Sequence, residues 1–176
     1  MDEWVYRGRV VSLKVSVIET ERGPRKLEVV VHPGAVVIMP LLDSERVVLV
    51  EQYRHAVGER TLEFPAGTIE EGEEPRECAL RELREETGYV AGALEFLGSF
   101  FASPGYSTEV LHAYLAMGLE KGSAKPDEDE EIEEIVAFSV EELLRMIRDG
   151  EIKDAKTVTA FTLYLLKKSK HIQMNS

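Results

Sequence analysis

Cysteine is almost absent from this chain of 176 residues, and Cys78 stands alone. No internal disulfide can form and no cysteine-rich zinc cluster is possible, which fits a reducing compartment. Long hydrophobic runs are missing as well. No apolar segment reaches the roughly 18 residues that a membrane span requires. The opening residues MDEWVYRGRV lack a basic stretch followed by an apolar one, so no signal peptide is expected. Positive charge is scarce: Lys and Arg number 21 against 33 Asp and Glu, a formal net charge of −12. Such a surface repels phosphate backbones and anionic lipid, so neither nucleic acid nor membrane is an expected partner. These absences point to a soluble, cytoplasmic protein. The negative balance suits a site that binds cations.

What is present suits one domain over residues 1–176. Residues 9–20 alternate through Val11, Leu13, Val15 and Val17, the period of a strand. ERGPR turns the chain and KLEVVVH returns, so 9–32 reads as a hairpin ahead of a core over 33–170. AVVIMPLL and RVVLVEQY form a second strand pair, and TLEF is a short strand before Pro65. Pro75 to Thr87 reads as a helix ended by Gly88. Strands follow at 94–101 and 108–117, around the SPGYS loop. EIVAF is a last strand. Ser139 and Glu142 form a capping box for a helix closed by Gly150. A final amphipathic helix spans 156–170, with residues 171–176 expected to fray. Strands early and helices late predict an α/β or α+β fold.

The helix at 75–87 gathers carboxylates. Glu82 and Glu86 lie four apart on one face, with Glu85 beside them. Glu77–Arg81 and Arg81–Glu85 have ion-pair spacing, whereas Glu82 has Cys78 rather than a cation at i−4. On a solvated face the like-charge pair costs only about 0.2–0.5 kcal/mol. Inside a cleft, at about 5 Å and an effective dielectric near 20, repulsion is roughly 3 kcal/mol. A hard divalent cation offsets that, and Mg²⁺ takes carboxylate oxygens, waters and substrate phosphates. A Glu-rich helix is usually a solvated face. The frame around this one favours the metal. Pro65-Ala66-Gly67 allows close backbone approach and can turn a carbonyl toward an ion.

Gly67, Glu73 and Arg81-Glu82-Leu83-Arg84-Glu85-Glu86-Thr87-Gly88-Tyr89 together resemble the Nudix box, G-x5-E-x7-R-E-U-x-E-E-x-G-U, where U is bulky and apolar. Every fixed position is present, and Tyr89 stands where an aliphatic residue is commoner. The resemblance implies a Nudix-type α/β/α sandwich with a mixed sheet. It also implies Mg²⁺-dependent hydrolysis (Mn²⁺ can substitute) of a nucleoside diphosphate linked to another group. By that resemblance Glu82 and Glu86 are metal ligands, Glu85 joins them in multi-metal states, and the Ala66 carbonyl is a further ligand. Glu73 and Arg81 hold the geometry of loop and helix.

Pro104, within SPGYSTE and 16 residues after Gly88, looks like the proline-bearing loop of the ADP-ribose pyrophosphatases in this superfamily. EQYRHAVGERTLEFPAG is similar to the stretch before the box in the same subfamily. PDEDEEIEE resembles its acidic loop, which supplies a late catalytic glutamate, here Glu128 or Glu130. The subfamily likeness makes Arg54 a phosphate-binding arginine and puts Gly105 and Glu109 at the terminal ribose. Arg9, Val10 and Glu28 sit where relatives use the partner subunit's hairpin to hold adenine. A homodimer with exchanged hairpins follows from the same likeness. The implied reaction converts ADP-ribose and water to AMP and ribose 5-phosphate. The alternatives are another nucleotide sugar, such as GDP-mannose or ADP-glucose, or an ADP-ribose sensor without chemistry.

Overall fold

The computed structural model describes residues 2–122 and 132–174. Its centre is β4 (Ala35–Pro40), every residue of which is buried. Successive strand residues point to opposite faces. Val37 and Met39 pack toward Leu143, Met146 and Phe161, while Val36 and Ile38 pack toward Ala79 and Leu83. Helices therefore cover both faces. The uninterrupted apolar run AVVIMP is what a strand buried on two sides requires.

β4 belongs to a four-stranded sheet ordered β7-β4-β9-β8, with β7 Ala66–Thr68, β8 Tyr89–Phe101 and β9 Val110–Lys121. β4 and β9 run parallel and the other pairs antiparallel, so the sheet is mixed. A second sheet, ordered β10-β5-β6, comprises β5 Arg46–Arg54, β6 Glu59–Glu63 and β10 Ile132–Ser139. α1 (Pro75–Thr87) covers one face of β4. α2 (Val140–Arg148) and α3 (Ala155–Met174) supply residues to the other. The expected sandwich of helices around a mixed sheet is what the chain forms.

The N-terminal unit is more than a hairpin. β1 (Asp2–Arg7), β2 (Ser12–Thr20) and β3 (Gly23–Val31) make a three-stranded antiparallel sheet. β1 is exposed along its whole length, so burial leaves no alternation to read in it. The strand expected from residue 9 starts at Ser12. Arg9 and Val10 lie in the turn between β1 and β2, which Gly8 N–H closes on the Val11 carbonyl at 2.9 Å. β8 begins at Tyr89 rather than 94, and α3 continues to Met174 through residues expected to fray. Among the described residues no helix is long and apolar enough to cross a membrane.

Candidate active site

α1 owes its position to its ends. Pro75 occupies the first turn, where a missing N–H is harmless. Gly88 ends the helix at φ 71°, and its N–H bonds the Arg84 carbonyl. The face turned inward carries Cys78, Ala79, Leu83 and Thr87, together with Glu82 and Glu86. Glu82 is 5% exposed and Glu86 2%. The two carboxylates thus lie on the buried side of the helix, and the solvated-face account of this acidic segment fails.

They face the loop that precedes the helix. A Cβ on Gly67 would lie 1.9 Å from the Glu82 carboxyl carbon, so only glycine leaves room for that side chain. Glu86 Oε1 accepts a long hydrogen bond, 3.4 Å, from Ala66 N–H. Arg81 ties loop to helix. Its Nε and Nη2 donate to the two oxygens of Glu73 at 2.8 and 2.9 Å. Nη1 donates to Glu82 at 2.7 Å and to Glu85 at 3.1 Å. Nη2 also reaches the Thr68 carbonyl at 3.4 Å. Arg81 turns to Glu73 rather than to Glu77 at i−4. Glu82, with no cation at i−4, obtains one from the adjacent position because the arginine side chain is long enough to curl back. The Arg81 bonds hold the Glu73 carboxyl down to about 2, and Glu73 in turn raises the Arg81 guanidinium above its ordinary value.

Buried carboxylates gathered over a glycine make a donor set of oxygens suited to a hard divalent ion. Among the described residues no three carboxylate, imidazole or thiol side chains already converge as a cage. The positive group between Glu82 and Glu85 is Arg81 Nη1.

Two clefts meet at Arg54, Ala66, Gly67 and Thr68. One, about 760 Å³, runs past the box and is lined by Arg9, Val10, Glu71, Arg81 and Glu82. The other, about 450 Å³, runs toward α3 between Phe100, Phe101, Glu109 and Lys156. Arg9, Val10, Arg54 and Glu109 therefore border one continuous depression with the box. Glu28 and Gly105 do not. They line a separate groove with Glu3, Val15 and Lys26 on the N-terminal sheet. The SPGYS loop is docked there by Val30 N–H to the Tyr106 carbonyl (2.8 Å) and Thr108 N–H to the Val30 carbonyl (3.0 Å). That docking places Gly105 against the hairpin and Glu109 on the other side of the loop. Glu128 and Glu130 lie outside the described residues.

Sequence reasoning missed Glu63 and Lys156. Glu63 is 2% exposed, and Arg54 grips it with Nε at 2.9 Å and Nη2 at 2.6 Å. Lys156 Nζ bonds the same carboxylate at 2.5 Å, and Thr61 Oγ1 donates at 2.6 Å. Burial pushes the Glu63 carboxyl up, but Arg54 and Lys156 outweigh it and hold the group at about 2. Glu63 raises the Arg54 guanidinium. Lys156 is delivered by the first turn of α3, where Asp154 accepts from Thr157 N–H at 2.9 Å in the geometry of an N-cap. Two signals were available: a lone carboxylate inside the apolar strand TLEF, and Asp154 three residues before a threonine at a helix start.

The NUDIX domain model matches residues 31–161. The methanol dehydrogenase activator of Bacillus methanolicus is 44% identical over 161 residues, 90% of this chain and 86% of that protein. The ADP-ribose pyrophosphatase of Bacillus subtilis (strain 168) is 38% identical over 173 residues, 97% of this chain and 94% of that one. The crystal structure of an ADP compounds hydrolase superposes with a TM-score of 0.85 at 27% identity, covering 97% of this chain and 93% of that one. An intact box folded around buried carboxylates, together with these likenesses, places the chain in the Nudix hydrolase family.

Proposed function

We propose that the chain hydrolyses the diphosphate of ADP-ribose, adding water across the P–O–P link to give AMP and ribose 5-phosphate. The observation that carries this reading is the strip Arg54-Ala66-Gly67, shared by two clefts and backed by buried Glu82 and Glu86. A diphosphate on that strip has one arm in each cleft. Glu82 and Glu86, with Glu85 and the Ala66 carbonyl beside them, would hold Mg²⁺. Bound Mg²⁺ supplies charge neutralisation on phosphoryl oxygens and an activated water. Arg54 binds and orients the phosphates from the opposite side. Arg81 and Glu73 fix the carboxylates, and a glutamate of the acidic run, Glu128 or Glu130, takes the proton of the attacking water. The relatives named for ADP-ribose and ADP compounds support the substrate.

The site is completed by a second copy of the chain. Glu28 and Gly105 line a groove apart from the box, so within one chain they do not meet the substrate held there. Trp4, Tyr6, Val17 and Ile18 leave apolar surface exposed on the same N-terminal sheet. An exchanged dimer covers that surface and brings Glu28 to the partner's site. Light scattering tests this: a fully active monomer refutes it.

The reaction is tested by product formation from ADP-ribose, with and without Mg²⁺, alongside GDP-mannose and ADP-glucose. Magnesium-dependent AMP, fastest from ADP-ribose, is the expected result. Faster turnover of GDP-mannose or ADP-glucose replaces the substrate and keeps the diphosphate chemistry. Tight ADP-ribose binding without hydrolysis makes the chain a sensor, against the intact carboxylate set. A second reading rests on the 44% identical activator. Stimulation of a methanol dehydrogenase by the wild-type chain, lost in Glu82→Gln, would join the two readings.

A further inference from the structure

The box explains the carboxylates of α1 and leaves Glu63 and Lys156 without a task. Counting donors gives them one. An arginine has five N–H groups and a lysine three. Arg81 directs Nε, both hydrogens of Nη1 and both of Nη2 to Glu73, Glu82, Glu85 and the Thr68 carbonyl. A phosphate can take no N–H from it without breaking a bond of the box. Arg54 is different: Nε and one N–H of Nη2 bond Glu63, and among the described residues the other N–H of Nη2 and both of Nη1 are left for a ligand. Lys156 uses two of its three donors, on Glu63 Oε2 at 2.5 Å and Asp154 Oδ1 at 2.8 Å. Among the described residues one remains without an acceptor, and the side chain lines the α3-side cleft with Arg54, Ala66 and Gly67.

Arg54 Nη2 and Lys156 Nζ bond the same oxygen of Glu63, so the two cationic heads lie side by side. That oxygen belongs to a carboxylate 2% exposed and pinned again by Thr61, which cannot swing away when a ligand arrives. In a chain of net charge −12, such a pair is where a pyrophosphate finds local attraction. A tie between α3 and β6 does not need Lys156. Phe64 N–H already bonds Thr157 Oγ1 at 2.8 Å, and Asp154 already caps the helix.

We infer that Lys156 is a second diphosphate-binding cation beside Arg54, and that Glu63 is the positioning residue holding both at the mouth of the α3-side cleft. The inference rests on reading the two clefts as a nucleoside diphosphate site. Inorganic pyrophosphate, with Mg²⁺ present, is titrated calorimetrically into the wild-type chain and into Lys156→Met, Lys156→Arg and Lys153→Met. KM and kcat for ADP-ribose are measured on the same set. Lys156→Met is expected to weaken pyrophosphate binding at least about tenfold, the worth of one charge-assisted contact. KM should rise by more than kcat falls, because the contact serves substrate and transition state alike. Lys156→Arg should recover most of the affinity. Lys153, which pairs on the surface with Glu59 at 2.5 Å, is the control and should leave affinity unchanged. Lys156→Met affinity within twofold of wild type overturns the inference, and so does a wild-type chain that binds no pyrophosphate. Lys156-dependent pyrophosphate binding without hydrolysis of any nucleotide sugar keeps the inference and removes the ADP-ribose reading.

Discussion

The molecule holds two buried acidic centres of opposite balance. At α1 one arginine serves three carboxylates, Glu73, Glu82 and Glu85, with Glu86 buried alongside. At β6 two cations, Arg54 and Lys156, share one carboxylate, Glu63. Among the described residues the first centre gathers more carboxylates than cations. The second has cationic donors to give. Placed on either side of Gly67, they suit the proposed reading, with a metal on one wall and phosphate on the other. The same kind of interaction, a part-buried arginine–carboxylate bond, suits different ends according to which partner is in surplus.

The comparison is broken most severely on the metal wall. Glu82→Gln should remove nearly all turnover while the chain stays folded by circular dichroism. The loss should exceed the roughly 10–100-fold expected of Glu73→Gln, which on the proposed reading orients the ligands through Arg81. Near-normal activity in Glu82→Gln would sink the site assignment. Gly67→Ala comes next. Its Cβ would sit 1.9 Å from the Glu82 carboxyl, so the glutamate must move away. Turnover should collapse with a smaller loss of melting temperature, and wild-type kinetics would show that the carboxylate does not need that place.

On the phosphate wall the larger effect is on stability. Glu63→Gln removes the charge on which two cations depend, at a cost of about 3 kcal/mol. For a chain of this size the melting temperature should fall by roughly 6–12 °C. A fall under about 2 °C would mean that Arg54 and Lys156 are content in water. Acid has the smallest effect near neutrality. Glu63 and Glu73 are held at about 2 in the fold, below the ordinary 4.5. Depressed carboxylates stabilise fully above the ordinary value, and the contribution is lost as pH falls from about 4.5 toward about 2. Denaturant midpoints should be flat from neutrality to about pH 5 and then drop. Each group adds a slope of up to about 1.4 kcal/mol per pH unit. In Glu73→Gln the drop should be shallower.

The metal wall was legible in the sequence because its residues are neighbours. Gly67, Glu73 and Arg81 through Gly88 lie on one loop and one helix, so spacing alone encodes their arrangement. The central strand was legible for a related reason, since AVVIMP is apolar at every position. The phosphate wall was not. Glu63 and Lys156 are 93 residues apart and meet only because α3 packs its first turn beside the end of β6. β1 escaped for want of burial, which is what writes alternation into a strand. Arg9 and Val10 were named as site residues but placed in a strand, because the turn that carries them has no proline to mark it. Glu28 and Gly105 came to the substrate by subfamily likeness, Glu28 by way of the partner's hairpin, and within one chain they line a groove apart from the box.

Cys78 has a practical consequence. It is the chain's one thiol, fully buried, with Arg81 Nη2 3.4 Å from its sulfur. Burial first, then the charges of Glu73 and Glu82, push its ionisation well above the ordinary thiol range. Burial and these charges disfavour the thiolate that alkylating and oxidising reagents attack, so slow modification is expected of the folded site. Any modification that does occur counts the moments when α1 lifts from its loop. The rate of that modification is a clock for local opening, and a ligand that clamps loop to helix slows it without any change in the catalysed reaction.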